Sequence, residues 1–316
     1  MNRSTLQLIV KISELGSFTK AGLELNMTQP AVSRAVNMLE AELGVTLLIR
    51  NRRQGVMLTD IGERVVRLFR GILDGYEKVD QEAAREKGLE TGTVRIGAFP
   101  VASTYFVPKL LSQIANSYPN IKFEILEGTI AEIKEWIECR RIDVGFIIPP
   151  IDEFDAFHLH REELYAVFRN DHPLTAKTVI QAADLLDQSL IVCTAGYESP
   201  VMGWFDRSGE SIKAKYSLYN NMTTLQFIQE GMGISVMAEL SLMNLPDNME
   251  IRRLDPPGYR DIYLAVSSFD ESSIAAKMFI ETALRLFRSP ADGAVADKRN
   301  LPAGNETEER QPDHKI

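Results

Sequence analysis

From Ile61 to Ala83 the apolar residues Ile61, Val65, Leu68, Ile72, Tyr76, Val79 and Ala83 step by four, three, four, four, three and four positions, with charged residues around them. That rhythm predicts one long helix over residues 59–90, capped by Thr59, because a strand would scatter the same side chains over both faces. The stripe is nearly as narrow as a coiled-coil seam and asks for a partner helix. A helix lying on its own domain would also hide it, but no neighbouring segment offers an apolar surface to cover it. The spacing therefore predicts pairing with a second copy of the chain. Gly88 and Gly92 mark the boundary to the next domain.

The segment before this helix reads as short helices joined by tight turns. Residues 4–15 place Leu6, Ile9, Val10 and Ile12 at near-helical spacing and stop at Gly16, which suits a helix end. Ser17 caps a second helix with Phe18, Ala21, Gly22 and Leu25 on one face, where the small pair lets another helix cross closely. After the turn Asn26-Met27-Thr28, Thr28 caps a third helix to about Leu43, and Pro30 is tolerated because first-turn N–H groups have no intrahelical acceptor. Gly44 ends it. Val32, Val36, Leu39 and Leu43 are the expected buried stripe. Opposite them Gln29, Ser33 and Asn37 repeat every four residues with Arg34 beside them, a face that is polar without being acidic.

Gln and Asn pair bidentately with adenine, Arg with guanine, and Ser with base edges or phosphate, so this face is able to read a major groove. An isolated polar stripe is more often a solvated surface. Here two short helices and a tight turn make it the recognition helix of a helix-turn-helix, and residues 45–58 follow with Arg50, Arg52 and Arg53 and no acid. Charge divides along the same line. Residues 1–58 hold seven Lys or Arg against four acids, a balance of +3, while residues 59–92 stand at −2 and residues 93–316 at −10. The chain's net −9 excludes a molecule coated all over in positive charge and leaves room for one basic patch.

The runs Gly16-Ser17-Phe18-Thr19-Lys20-Ala21, Thr28-Gln29-Pro30-Ala31-Val32-Ser33-Arg34, Leu39-Glu40-Ala41-Glu42-Leu43-Gly44-Val45 and Leu58-Thr59-Asp60-Ile61-Gly62 resemble the winged helix-turn-helix of LysR-type transcriptional regulators. Gly22 stands where that family usually has alanine, and Leu47-Leu48 where it has leucine-phenylalanine; both read as packing changes. The resemblance implies that Thr28, Gln29, Pro30, Ser33 and Arg34 contact an operator, that the wing arginines grip phosphate or the minor groove, and that the long helix dimerises.

From Thr93 the pattern becomes strands alternating with helices: strands at 93–99, 121–126 and 143–148, with helices to about Ser117 and Arg140 between them. Further strands fall at 164–169, 190–194, 214–219, 234–237 and 262–266, and a last helix at 272–288. This is an α/β signature implying a mostly parallel sheet. With Tyr118-Pro119, Asp171-His172-Pro173 and Gly231-Met232-Gly233-Ile234 it resembles the two-lobed, periplasmic-binding-protein-like effector domain of the same regulators. The expected division is thus a DNA-binding domain at 1–58, a linker helix at 59–91, and an effector domain at 92–288. Its lobe I would take residues 92–160 and 267–288 and its lobe II residues 161–266. Residues 289–316, polar and containing Pro and Gly, read as a disordered tail.

In open α/β sheets ligands bind beyond the carboxyl ends of strands, where helix starts present N–H groups to anions. Four places qualify: Pro100, Ser103 and Thr104 after the first strand; Gly128-Thr129 after the second; Thr194; and Asn221-Met222-Thr223, opening a helix. Each hydroxyl taken singly reads as a helix cap. Taken together, and with the resemblance placing an effector cleft at these turns, they form a site for a small anionic metabolite such as a carboxylate.

Enzyme signatures are missing: the sequence holds no His-Glu-x-x-His, no phosphate-loop Gly-Lys motif and no Gly-x-Ser-x-Gly elbow. His158 and His160 would share one face of a strand, but without further ligands they read as surface histidines and no metal is expected. Cys139 and Cys193 are too few for a disulfide framework and read as inert thiols, although a branch of the resembled family uses cysteine pairs as redox switches. No apolar run approaches the ~20 residues of a membrane span, and Glu14 interrupts any secretory leader, so a cytoplasmic, nucleoid-associated protein is expected. The partners called for are double-stranded promoter DNA, a small-molecule effector, RNA polymerase, and further copies in a homodimer or homotetramer, with no cofactor and no membrane. Two readings stay open beside this one: an α/β ligand-binding protein or enzyme carrying an accessory helical module, and a thiol redox-sensing regulator.

Overall fold

The computed structural model describes residues 1–51, 55–86, 91–194 and 198–288. Helix α1 (Arg3–Leu15) begins where the Asn2 side chain accepts the Thr5 N–H and stops at Gly16 in the left-handed region. Helix α2 (Phe18–Glu24) is capped by Ser17, which accepts the Lys20 N–H, and α3 (Gln29–Leu43) follows. Leu6, Leu8, Ile9, Ile12, Ala21, Val32, Val36 and Leu39 close around one small core. Leu43, expected in that stripe, is 38% exposed instead. The chain turns back after Gly44 and inserts Leu47, fully buried, into this core, while the Glu40 carboxylate accepts the N–H groups of Leu47 and Leu48 at 2.6 and 3.0 Å.

The helical reading of the first sixty residues omitted a hairpin. Strands β1 (Leu48–Asn51) and β2 (Gly55–Leu58) pair antiparallel with Arg50 opposite Val56, which is the wing the resemblance implied. Val56 donates its N–H to the Gly16 carbonyl at 2.9 Å, and a Cβ on Gly55, at φ +82°, would stand 2.7 Å from that same oxygen. Only glycine allows the approach.

Helix α4 (Asp60–Glu86) is the long helix, with Thr59 Oγ1 accepting the Gly62 N–H at its start. It does lie partly on its own domain, contrary to expectation, but through a different face. Val66 and Phe69 are buried in the α1–α3 core, with Leu73 packed against it, while Leu68, Ile72, Tyr76 and Val79 point outward.

The rest is two lobes sharing strands. Lobe I orders its strands β4 (Ile121–Glu127), β3 (Gly92–Ala98), β5 (Val144–Ile147), β12 (Tyr259–Val266) and the first half of β6 (Asp155–Arg169). The second half of β6 leads lobe II, followed by β10 (Ile234–Ala238), β8 (Leu190–Cys193) and β9 (Tyr216–Leu218). Pairing is parallel at β4-β3-β5 and β10-β8-β9, but antiparallel where β6 meets β12 and β10, so the sheet is mixed. Strand β12 pairs with β5 and therefore belongs to lobe I rather than to the second lobe, where a division at residue 266 puts it. β5, β8 and β10 are buried along their whole length, as strands covered on both faces are.

The helices of lobe I are α5 (Pro100–Tyr105), α6 (Val107–Ser117), α7 (Ile130–Glu138) and, at the end of the described chain, α10 (Ile274–Phe287). Pro108 in the first turn of α6 lacks an N–H, and the single helix expected to Ser117 breaks in two at Phe106. Lobe II carries α8 (Glu198–Arg207), whose Trp204 and Phe205 are fully buried, and α9 (Asn221–Gln229). Helix α8, the short strand β7 (Val179–Ile180) and β11 (Met249–Leu254) were not foreseen. Among the described residues no helix is long and apolar enough to cross a membrane.

Candidate nucleic-acid interface and effector cleft

Helix α3 is held by Val32, Val36 and Leu39 and turns its other side to solvent. Gln29, Pro30, Arg34 and Asn37 are exposed and Ser33 half-exposed, all on one surface. Gln29 Nε2 donates to Ser33 Oγ at 3.0 Å, a bond across one helical turn that pre-orders both groups. Thr28 occupies the cap position with extended backbone, yet its hydroxyl makes no capping bond. The acids of α3 are engaged elsewhere: Glu40 holds the wing backbone, and Glu42 pairs with the N-terminal ammonium at 3.0 Å. Sequence reading missed Met38, an apolar side chain 67% exposed beside this polar face, of the kind that meets a thymine methyl group. The side chain of Arg50, and Arg52 and Arg53 altogether, lie outside the described residues.

Along α4 the predicted seam stands open from Leu68 to Val79, while Val65 packs on the DNA-binding core. Leu68 and Val79 are 67% and 68% exposed, Ile72 and Tyr76 41% and 43%.

The predicted effector residues divide between the lobes. On lobe I, Ser103 is half-buried in α5, and Thr104 is exposed with its hydroxyl bonded back to the Pro100 carbonyl at 2.8 Å. Thr129 caps α7 reciprocally: its Oγ1 accepts the Glu132 N–H, and the Glu132 carboxylate accepts the Thr129 N–H at 2.8 Å. Those bonds hold the Glu132 carboxyl below its ordinary range, and they fill the start of α7 with the helix's own anion. On lobe II, Thr194 donates its N–H to the Leu218 carbonyl at 2.8 Å, and Asn221 Nδ2 donates to Ser241 Oγ at 2.8 Å. Thr223 is exposed, and the cap of α9 is Asn220, whose Oδ1 accepts the N–H groups of Met222 and Thr223.

The two sides face each other. Tyr219, after β9 in lobe II, has its phenol pushed up by burial and then by Glu132 and Glu127 of lobe I. Neither Tyr219 nor these two carboxylates were foreseen. Where the lobes join, Arg260 and Glu162 are both fully buried, with Glu162 Oε1 accepting from Arg260 Nε at 2.8 Å and from Nη2 at 2.5 Å. Glu162 Oε2 accepts the Leu240 N–H of lobe II at 2.9 Å, and the guanidinium lies 5.4 Å from the centre of the Phe99 ring, just before α5. One ion pair thus ties β12, β6, lobe II and the start of α5 together.

The histidine expectation is overturned for His158, which is 1% exposed, with Nε2 2.9 Å from Asp261 Oδ1. A β-bulge opposite Ile262 and Tyr263 separates its setting from that of His160, which is half-buried against Phe106. Neither Cys139, at the end of α7, nor Cys193, buried at the end of β8 with its thiol 3.5 Å from Asn221 Oδ1, is in a disulfide. No group of three or more His, Cys, Asp or Glu residues among the described residues is arranged to hold a metal ion.

Two family models match this chain: "Bacterial regulatory helix-turn-helix protein, lysR family" over residues 4–63 and "LysR substrate binding domain" over residues 87–288. An uncharacterized HTH-type transcriptional regulator of Bacillus subtilis, YvbU, is 47% identical over 289 residues, covering 91% of this chain and 99% of its own. A second from that organism, YoaU, is 32% identical, covering 89% and 97%. Among solved structures, a full-length OxyR variant from Pseudomonas aeruginosa superposes with a TM-score of 0.70 at 24% identity, covering 91% of this chain and 98% of that one. Full-length CbnR complexed with its target DNA superposes at 0.61 and 19% identity, covering 90% and 99%. At these identities the likeness is one of fold.

Proposed function

The chain belongs to the LysR family, as a DNA-binding transcriptional regulator that responds to a small-molecule effector, and from that premise we propose which of its residues do the work. Gln29, Ser33, Arg34 and Asn37, with Thr28 and Pro30 at the helix start, read base edges in the major groove, and Arg50, Arg52 and Arg53 of the wing grip the backbone beside it. The observation that carries this is the exposed, polar, acid-free side of α3 opposite its buried Val32, Val36 and Leu39. A second copy joins through the open stripe of α4, giving a homodimer, or a homotetramer of two such pairs, on half-sites separated by whole turns of about 34 Å. The protein acts in the cytoplasm on promoter DNA, with RNA polymerase as the target of its output, and carries no catalytic role.

The effector sits between the lobes, against Ser103 and Thr104 on one side and Thr194, Asn221 and Thr223 on the other. Thr129 is a weaker contact than its position suggested, because Glu132 already occupies the helix start it caps. An anionic effector is disfavoured next to Glu127 and Glu132, and at the start of α9 the N–H groups of Met222 and Thr223 are already taken by the neutral Asn220 cap.

The test of base reading begins by selecting an operator from a random DNA pool with the intact protein. Gln29→Ala and Ser33→Ala should each weaken operator binding about 10- to 100-fold, a bidentate base contact being worth ~1–3 kcal/mol, while affinity for random DNA hardly changes. Arg52→Ala should weaken both and flatten the salt dependence. Equal losses of Gln29→Ala on operator and random DNA would remove the base-reading role.

A further inference from the structure

Helix α4 has a third face. Arg70, Asp74, Glu77 and Gln81 step by four, three and four along one side, away from the open apolar stripe, and all of them meet lobe I. Glu77 Oε1 accepts the Thr93 N–H at the start of β3 at 3.0 Å, and its Oε2 lies 3.4 Å from Arg95 Nη2. Asp74 stands between Arg95, at 3.8 Å, and Arg140, at 3.9 Å. Arg70 donates to the Cys139 carbonyl at 3.2 Å, and Gln81 is packed so closely on Gly92 that a Cβ there would come within 2.5 Å of its amide nitrogen.

At the centre of this junction is Arg95. Lobe I fixes it from beneath: its N–H donates to Asp143 Oδ2 at 2.7 Å, its guanidinium lies 3.5 Å from Asp143 Oδ1, and Glu124 stands at the rim, 3.9 Å away. The helix supplies Asp74 and Glu77 from above. The apolar cores do not cross this boundary, since one closes around α1–α3 and the first half of α4 and another within the effector lobes. What does cross it is polar and incompletely satisfied. Both amide atoms of Gln81 and Nε of Arg70 are buried with no hydrogen-bond partner among the described residues, and a cavity of about 330 Å³ remains between α1, α4 and lobe I. Orphaned groups penalise the docked arrangement while the carboxylate–guanidinium contacts favour it, so the contact carries a cost as well as a gain.

We propose that this face of α4 is a releasable electrostatic latch with Arg95 as its keystone, and that its closure makes lobe I one body with the DNA-binding unit. Closed, it passes any movement of lobe II against lobe I into the linker helix and the spacing of the two reading heads. Released, it leaves the heads free to adjust their separation. Arg95, Asp74 and Glu77 are positioning residues, distant from both DNA and effector. The inference rests on the DNA-binding reading above, and half-site binding separates the two.

The test uses the full chain and its pool-selected operator, in forms carrying one half-site, the native spacing, and spacings changed by two and four base pairs. Asp74→Asn with Glu77→Gln keeps the volumes and removes the charges from α4 alone, and Arg95→Lys tests the keystone from the other side. Each variant should keep half-site affinity within twofold. Each should raise amide hydrogen exchange at Thr93, whose N–H is bonded to Glu77, at least tenfold and shrink the affinity difference between native and altered spacings by about tenfold. Unchanged exchange at Thr93 in the Asp74→Asn, Glu77→Gln protein would overturn the latch. So would faster exchange with the parent's spacing preference intact, since the contact would then be structural only. Should Arg95→Lys fail to fold, the α4 double variant, whose altered residues lie outside both apolar cores, decides the matter alone.

Discussion

Val79→Asp tests the dimer seam most directly, because Val79 is 68% exposed in the single chain and nothing in the folded protomer depends on it. Fully burying a valine or leucine side chain is worth about 2 kcal/mol, so roughly 1.4 kcal/mol is available at Val79 in each protomer. A two-fold interface counts it twice, for about 3 kcal/mol. An aspartate in its place also brings a carboxylate into each half of the seam, at about 1 kcal/mol or more apiece unless it finds a partner. The combined loss of about 4–5 kcal/mol corresponds to a dimer dissociation constant raised about a thousandfold or more. Sedimentation velocity from nanomolar to tens of micromolar protein reads this directly, with Met243→Asp as the matched control, since Met243 is 63% exposed in lobe II, away from α4. The expected result is a monomer for Val79→Asp across most of that range and an unchanged dimer for the control. A Val79→Asp protein whose dissociation constant moves less than threefold, with its circular dichroism intact, would show that the open stripe of α4 is not where copies meet.

Gly22→Ala should destabilise the DNA-binding unit by about 1–2 kcal/mol in urea unfolding. The new Cβ would lie 2.8 Å from the Met27 carbonyl oxygen and 3.1 Å from Val32 Cγ2, which outweighs the ~1 kcal/mol alanine gains in a helix; equal or greater stability would refute the crowding argument. Asp143→Asn should stabilise the protein at pH 8 by about 1–3 kcal/mol and flatten its stability between pH 4 and 7. Burial pushes the Asp143 carboxyl up to about 6 against the pull of Arg95, so the folded state holds a proton that the unfolded chain, titrating near 4, has already lost. That group's contribution therefore declines as pH rises from about 4 to 6 and is a constant cost above it, and parallel stability–pH curves for the two proteins would contradict this.

What could be read in the sequence was whatever is decided locally. Gly16, Ser17, Thr28 and Gly44 stand at the helix ends where expected, because capping depends on a few neighbouring residues. The wing hairpin escaped a helical reading because its strands are four residues each and lean on Gly16, some forty residues earlier in the chain. Strand β11 and helix α8 escaped for a similar reason: Met249–Leu254 exposes alternate residues on a lobe edge, and Trp204 is fixed by a bond to the Pro256 carbonyl at 2.6 Å. In the cleft the hydroxyl positions could be picked out, but not their uses. Thr129 is spent on a cap, and Tyr219 gains meaning only when lobe I brings Glu127 and Glu132 opposite. Glu162 and Arg260, 98 positions apart, each read singly as surface charge.

Helix α4 shows why a correct periodicity can still conceal two thirds of what a helix does. Its sequence displays one apolar stripe, and that stripe is left open in the protomer from Leu68 to Val79, Val65 before it packing on the DNA-binding core. The face that joins the DNA-binding core, Val66, Phe69 and Leu73, is apolar too, but it runs only as far as α1 reaches and so is too short to stand out against the longer pattern. The face that meets lobe I, from Arg70 to Gln81, is polar throughout and reads as solvated surface until Arg95 and Asp143, 48 positions apart, are seen beneath it. Each face has the chemistry its task demands. Folding of the protomer uses dry apolar contact, the stripe we propose for assembly is apolar and open, and the junction with the effector domain uses charges. A helix joined to lobe I by leucines would be as permanent as a core, and one joined by nothing could not carry a signal. The carboxylates around Arg95 are what place this junction between those limits, and their removal should change how the two reading heads are spaced while leaving what each head reads untouched.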